Sequence, residues 1–415
     1  KFKEKVQTIY IDPPFNKEQD ADYHYNVKYK NSSWATLLEN RLHLAKDCLN
    51  EKGSIFVRCD YNGNWIVRPL MDEIFGEENF RNEIVVNRTQ EFFKYAKGLN
   101  KFMVDTDTLF LWAKTENSLF KEIRIKREDE KWWEPFLPGE SKNEEDMYRM
   151  VFGQKTKSPE GRKWGLKQEQ INELEKDDRI KCENGKIKYA PLWKTLKNNW
   201  SDIPGYSRGW GFSTENSEIL LKRVIESTSN KNDIVMDFFL GSGTTTAVAH
   251  KLGRRWIGIE MGEHFYTVVL PRMKKVLFYD KSGISKEKDV KEKYNKENAG
   301  GFFKYYELEQ YEDTLRNVKY DDYDLFNNPY QDIYNQYVFM RDLKMLEALE
   351  IDYENNKVNV DLSKLYKNID IPETLSNLTG KWIKKITSDY VEFEDGEKID
   401  IKNLDYKLIK PLIWW

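Results

Sequence analysis

The chain of 415 residues has three cysteines, four histidines and no apolar run long enough to cross a bilayer. Each shortage excludes something. Cys48, Cys59 and Cys182 have neither metal-ligand spacing nor the density of a disulfide framework, so the expected setting is a reducing cytoplasm without a bound metal. A bilayer span needs about 18 consecutive apolar residues, so no membrane partner is expected. Excess charge is also lacking: 67 Lys and Arg face 70 Asp and Glu, a formal net charge of −3. A surface that gripped a polyanion everywhere would be basic, so any basic surface here must be local. The chain opens at Lys1 rather than Met, only five residues before an apolar run, and further residues are expected upstream.

What is present begins at that run. Val6, Ile9, Tyr10 and Ile11 read as a short buried strand that stops at Asp12-Pro13-Pro14-Phe15. Pro13 pushes Asp12 out of the helical region, and two prolines remove two N–H donors while leaving carbonyl acceptors. Met alone, such a tetrapeptide is more often a strand ending in a proline turn. As a site, it is an acceptor-only pocket beside an aromatic ring. The Asp12 carboxylate and the Pro13 carbonyl can each take one hydrogen of an exocyclic amine while Phe15 stacks on the ring that bears it. Adenine fits that description.

A second stretch changes the weighting. Ile234, Val235 and Met236 lead through Asp237, Phe238 and Phe239 into Gly241-Ser242-Gly243-Thr244, followed by apolar residues at helical spacing up to Gly253. This is strand, glycine turn, helix. A further strand ends at Glu260, 23 positions after Asp237, close to the ~20-residue offset at which an acid meets ribose hydroxyls in nucleotide-binding β-α-β units. Glycines allow close approach of a ligand to the backbone, and a helix N-terminus favours a carboxylate or phosphate. The turn lacks both the Gly-Lys-Thr ending of a triphosphate loop and the third glycine of the dinucleotide fingerprint, which disfavours those two ligands.

Together these stretches resemble the DNA amino-methyltransferases whose motifs run in the permuted order called the β class. Blocks at 32–42, 52–57, 75–80, 161–164 and 200–203 extend the resemblance to adenine-specific members, notably the modification subunits of type III restriction systems. It is good over about residues 6–277 and loose beyond. One departure is Asn216-Ser217, where the family usually has Lys-Pro.

The resemblance implies a Rossmann-like, doubly wound, mostly parallel α/β sheet and transfer of a methyl group from S-adenosylmethionine to the N6 amine of a flipped adenine in double-stranded DNA. It implies a catalytic loop at Asp12, Pro13, Pro14 and Phe15, and cofactor contacts from Asp237, Phe238, Phe239, Gly241, Ser242, Gly243, Thr244, Glu260 and Asn216. A second copy of the chain and a restriction subunit are the implied protein partners. Methylation of RNA adenine, methylation of the cytosine N4 amine, and a non-catalytic DNA-recognition role stay open as alternatives. Cytosine members more often carry Ser before Pro-Pro, so Asp12 favours adenine.

The rest of the chain is read around this frame. Residues 1–114 alternate strand and helix, and His24 and His43 there read as structural or surface residues. Between 115 and 211 the alternation fails. Tryptophans interleave with charges, glycine and proline are frequent, and residues 121–208 hold 20 Lys and Arg against 17 Asp and Glu. A target-recognition insert is expected, with Lys155, Lys157, Arg162 and Lys163 as its DNA contacts; a small domain with a tryptophan core would look similar. Residues 212–278 form the cofactor-binding half. Residues 279–301 are dominated by Lys, Glu, Asp and Asn and read as a solvated linker. Residues 302–415 read as a small α+β module, with hairpins around 394–397 and 355–356 and a short helix around 343–349.

Overall fold

A computed structural model describes residues 1–14, 31–88, 102, 104–127, 131–141, 143–207, 209–212, 214–308, 349–352, 357–362, 369–404 and 408. Phe15, His24 and most of the helix expected around 343–349 lie outside the described residues. The chain divides into two units, residues 4–300 and residues 1–3 with 301–415.

The larger unit is built on a sheet whose central strand is β1 (Val6–Ile11), buried along its whole length. A strand with no wet face must be covered on both sides, and parallel neighbours joined by crossover helices supply that cover. Helix α1 (Asn31–Cys48) buries Trp34, Leu38, Leu42 and Ala45, a stripe at helical spacing. It leads into β2 (Leu49–Cys59), parallel to β1, with Ile9 beside Ile55 and Ile11 beside Val57. After α2 (Asn64–Phe75) come β3 (Phe80–Asn87) and β4 (Thr106–Ala113). Both pairings made by β4, with β2 and with β3, are antiparallel. The sheet is therefore mixed, with parallel pairs in the majority.

The insert is a set of two-stranded ladders: β5 (Arg124–Lys126), β6 (Phe136–Pro138), β7 (Tyr148–Val151), β8 (Gln154–Lys157) and β9 (Arg162–Trp164), then helix α3 (Gln168–Lys176), β10 (Ile180–Glu183), β11 (Lys186–Tyr189) and β12 (Trp193–Thr195). Val151, Trp164, Ile171, Leu174, Ile180 and Ile187 form its own core. Of its tryptophans, Trp164 belongs to that core, whereas Trp193 is exposed. The last insert strand, β13 (Asn199–Trp200), pairs with β3 and joins the main sheet. The insert thus ends inside the sheet rather than at a clean boundary near 211.

Helix α4 (Glu218–Thr228) then leads to β14 (Ile234–Asp237), α5 (Thr244–Lys251) and β15 (Arg255–Gly258). The full order is β13-β3-β4-β2-β1-β14-β15. β1 and β14 are parallel neighbours, with Ile9 beside Met236. From β1 the chain crosses to β2 on one side; from β14 it crosses to β15 on the other. The carboxyl ends of β1 and β14 therefore flank the crevice where such sheets bind ligands, and strands about 4.8 Å apart bring together segments from opposite halves of the chain.

The solvated linker expected at 279–301 is not what forms. After a π-helical turn and α6 (Leu270–Leu277), with Pro271 in its first turn, residues up to 300 fold onto the larger unit. Ile284, Val290, Tyr294 and Ala299 are buried, and Lys251, fully buried at the end of α5, bonds both Glu218 oxygens at 3.0 and 2.9 Å and Asp280 at 2.8 Å. The polar composition hides an ion-pair anchor and a few well-spaced apolar residues. In the smaller unit, Leu362, Leu375, Val391, Phe393 and Leu404 form a separate core beneath a three-stranded sheet of β18 (Ile383–Ile386), β19 (Tyr390–Phe393) and β20 (Lys398–Asp400); β16 (Leu349–Asp352) and β17 (Lys357–Val360) make a hairpin.

Candidate active site

A cleft opens at the β1–β14 crevice, and its walls come from both stretches singled out in the sequence. Asp12, Pro13 and Pro14 line one side; Asp237, Phe239, Gly241, Ser242 and Thr244 line the other. Asn216, Thr214 and Phe212 close it from the segment before α4, and Thr245 from the first turn of α5.

The acidic side is tightly wired. Asp12 Oδ2 accepts the Asn216 amide at 2.9 Å. Pro14's carbonyl accepts the Trp34 indole N–H at 2.8 Å, so that acceptor is occupied within the fold. Tyr10, two residues before Asp12, donates to Asn216 Oδ1 at 3.1 Å, and Arg58 donates to the same oxygen. Arg58 is buried in β2 with its Nε and NH2 on Asp107 Oδ2 at 3.1 and 2.7 Å. Burial, reinforced by the Asp12 charge, pushes the Tyr10 hydroxyl far above the usual tyrosine range, so it stays a neutral donor. Burial works against the Arg58 charge, but Tyr206, Asp12, Tyr10 and Asp107 outweigh it and hold the guanidinium protonated.

The glycine side is a cradle. Gly241 and Gly243 both have positive φ, +56° and +80°, which L side chains adopt only with strain, and Gly243 caps α5 in the left-handed region. Arg272, buried, reaches Thr244 Oγ1 at 2.9 Å and Glu215 at 3.1 Å and pins the turn from behind. Phe238 and Phe239 both pack against the core, and Phe239 also lines the cleft. Glu260 sits against the glycine turn, directly bonded to the Gly241 N–H of the cleft wall. Its buried carboxylate accepts the N–H groups of Gly241 at 2.7 Å, Met261 at 2.9 Å and Gly262 at 2.8 Å, and it does not line the cleft. Burial would raise its pKa, but the bonds from His264, Gly262 and Gly241 prevail and hold it below the usual carboxylate range. Here Glu260 shapes the turn.

Asp237 is the least comfortable group. It accepts Thr245 Oγ1 at 2.6 Å and the Phe239 N–H at 3.0 Å. Burial, aided by the Asp12 and Glu260 charges, nevertheless outweighs those bonds and raises its pKa to about 7. An unfolded aspartate titrates near 3.9, so the folded state holds the proton more tightly and stability is lost as pH climbs from about 4 to about 7. Asp237→Asn removes that loss. Melting curves of the ligand-free protein are expected to favour the variant increasingly between pH 5 and pH 8, by several degrees at the upper end; a difference independent of pH would contradict the assignment.

Lys155 and Lys157 on β8 and Arg162 and Lys163 on β9 are all exposed in the insert, outside the cleft. Arg162 is paired with Glu134, and the Lys155 ammonium lies 4.7 Å from the Tyr148 ring. Sequence reasoning missed Arg58, Asp107, Tyr206, Arg272 and Thr245. Arg58 alone left a signal, as a charge inside the apolar run 55–59.

A crevice between diverging crossovers, with a carboxylate–proline loop facing a glycine cradle, defines a ligand-binding enzyme site on a doubly wound α/β fold. Comparison with known proteins then places it: residues 6–271 match the N6/N4 family described as DNA methylase, and the chain belongs to that family. A probable type III restriction-modification enzyme HindVI Mod subunit from Haemophilus influenzae is 28% identical over 84% of this chain and 57% of its own length. The type II methyltransferase M.EcaI from Enterobacter cloacae is 23% identical over 62% of each. The chain thus spans about three fifths of the length of these two relatives. The PvuII DNA methyltransferase (cytosine-N4-specific) structure is 16% identical, with a TM-score of 0.40, over 69% of this chain and 85% of that one.

Proposed function

We propose that the chain is a site-specific DNA methyltransferase acting on the N6 amine of adenine, as the modification subunit of a restriction-modification system. The observation that carries this reading is the meeting of Asp12, Pro13 and Gly241 in one cleft. S-adenosylmethionine, the methyl donor of the family, supplies a methyl group on a positively charged sulfur. The residues present suit it: the glycines leave room for close approach, and Asp237, a desolvated carboxylate, gains from a cationic amine beside it.

An exocyclic amine is a poor nucleophile because its lone pair is delocalised into the ring. Asp12 takes one amine hydrogen, and the Pro13 carbonyl takes the other, Pro14's being held by Trp34. Held at both hydrogens, the nitrogen is drawn toward a tetrahedral arrangement and its lone pair is localised. The nitrogen gains the methyl group and gives up one proton, which the Asp12 carboxylate accepts. A base inside a duplex cannot reach this cleft, so it is flipped out at a cost of a few kcal/mol. Aspartate before Pro13, where cytosine-N4 members more often have serine, favours adenine. Duplex DNA, a second copy and a restriction subunit are the partners in this reading.

Labelled methyl transfer to duplex DNA but not to RNA of the same sequence is the expected result; transfer to RNA alone would refute it. For the insert, replacing Lys155 and Lys157 together with alanine is expected to make the slope of log affinity against log salt shallower by about two, since each phosphate contact contributes roughly 0.9. An unchanged slope would remove them from the interface.

A further inference from the structure

We propose that Asn216 is a positioning residue for Asp12, oriented by the buried guanidinium of Arg58, and not a ligand of the cofactor. This deepens the methyltransferase reading and rests on it. The argument starts from what each group can do. An arginine side chain only donates and is always charged, so the atom of Asn216 that meets Arg58 must be the amide oxygen. Tyr10 donates to that same oxygen at 3.1 Å. With the oxygen committed, the amide nitrogen must point the other way, and there it meets Asp12 Oδ2 at 2.9 Å. Reversing the amide would set NH2 against guanidinium and oxygen against carboxylate.

Arg58 cannot easily give way. Two of its nitrogens bond Asp107 Oδ2, its NH2 reaches the Asn87 carbonyl at 3.2 Å, and its guanidinium carbon lies 4.3 Å from the centre of the Tyr206 ring. The Tyr206 hydroxyl in turn bonds Asp107 at 3.2 Å. One fixed cation therefore sets the rotation of the Asp12 carboxylate through a single amide, and hydrogen bonds in such a chain polarise one another. Position 216 is also where the sequence departs from the family's usual lysine. Here a shorter amide stands in that place.

Two substitutions in the full chain test this. In Asn216→Ala, kcat is expected to fall about 10- to 100-fold, the scale set by loss of a hydrogen bond to a charged group, while the Kd for S-adenosylmethionine measured by calorimetry stays within about twofold. Asn216→Asp keeps an acceptor for Arg58 and Tyr10, so the fold survives, but it sets carboxylate against carboxylate at Asp12. Its kcat is expected to fall below that of Asn216→Ala. A merely structural role predicts the reverse order, because an Arg58–aspartate pair would be the milder change. Cofactor affinity falling in step with kcat, or Asn216→Asp matching or exceeding Asn216→Ala, would overturn the proposal. Inactivity of the wild-type protein on duplex DNA would instead sink the underlying reading.

Discussion

Asp12→Ala is expected to abolish methyl transfer, a loss of about a thousandfold or more, while the Kd for S-adenosylmethionine changes by less than about threefold. The two readouts separate because the two walls of the cleft come from different strands. Asp12 follows β1 and is held by Asn216; the glycine cradle follows β14 and is held by Arg272 and Glu260. Removing Asp12 takes away the acceptor that localises the amine lone pair and leaves those cradle bonds in place. It also removes one of the charges that keep Asp237 protonated, so a cation at Asp237 should bind no less well. Loss of both functions together would make Asp12 a structural residue, and retained activity would remove it from the chemistry.

The second large effect is on stability. Lys251→Met is expected to cost about 3 to 5 kcal/mol, because breaking a buried pair strands its partners without compensation, and to lower the melting temperature by roughly 10 °C at neutral pH. The partners are buried: Asp280 is 2% exposed and Glu218 has only a tenth of its side chain accessible. Burial alone would raise the Asp280 pKa, but the Lys251 and Ser282 bonds outweigh it and hold it well below the usual carboxylate range. That contribution is present above the unfolded pKa near 3.9 and fades as pH falls through the lower folded value, so the cost of the variant should shrink in acid. A shift of under about 2 °C at pH 7 would show that residues 280–300 do not depend on this anchor, and early cleavage of that segment by a protease would accompany the expected result.

What could be read in the sequence follows from which forces leave a one-dimensional trace. β1 is a run of apolar and β-branched residues ended by prolines, and the turn after β14 is marked by glycines, so both walls of the cleft were legible. Their meeting was not derivable from either stretch alone; it comes from parallel pairing of Ile9 with Met236. The polar network was nearly invisible, because Arg58, Asp107, Tyr206 and Asn216 find one another only across strands β2 and β4 and the segments flanking the insert's end. Residues 279–300 misled for the same reason, since Lys251 lies outside the segment it anchors and composition cannot show a partner. Glu260 illustrates a third limit. Its spacing pointed to a ribose ligand, and only the folded turn shows that its oxygens also accept the N–H groups of Gly241, Met261 and Gly262. Trp200, in a segment that looked wholly separate, turned out to extend the main sheet through β13.

The most direct measurement is nucleoside mass spectrometry of duplex DNA incubated with the protein and isotopically labelled S-adenosylmethionine, run beside Asp12→Ala. The expected result is N6-methyladenine carrying the label with the wild-type protein and none with the variant. Label in N4-methylcytosine would contradict the choice of base, and unlabelled DNA with the wild-type protein, or equal labelling by the variant, would contradict the assignment of Asp12 as the group that activates the amine.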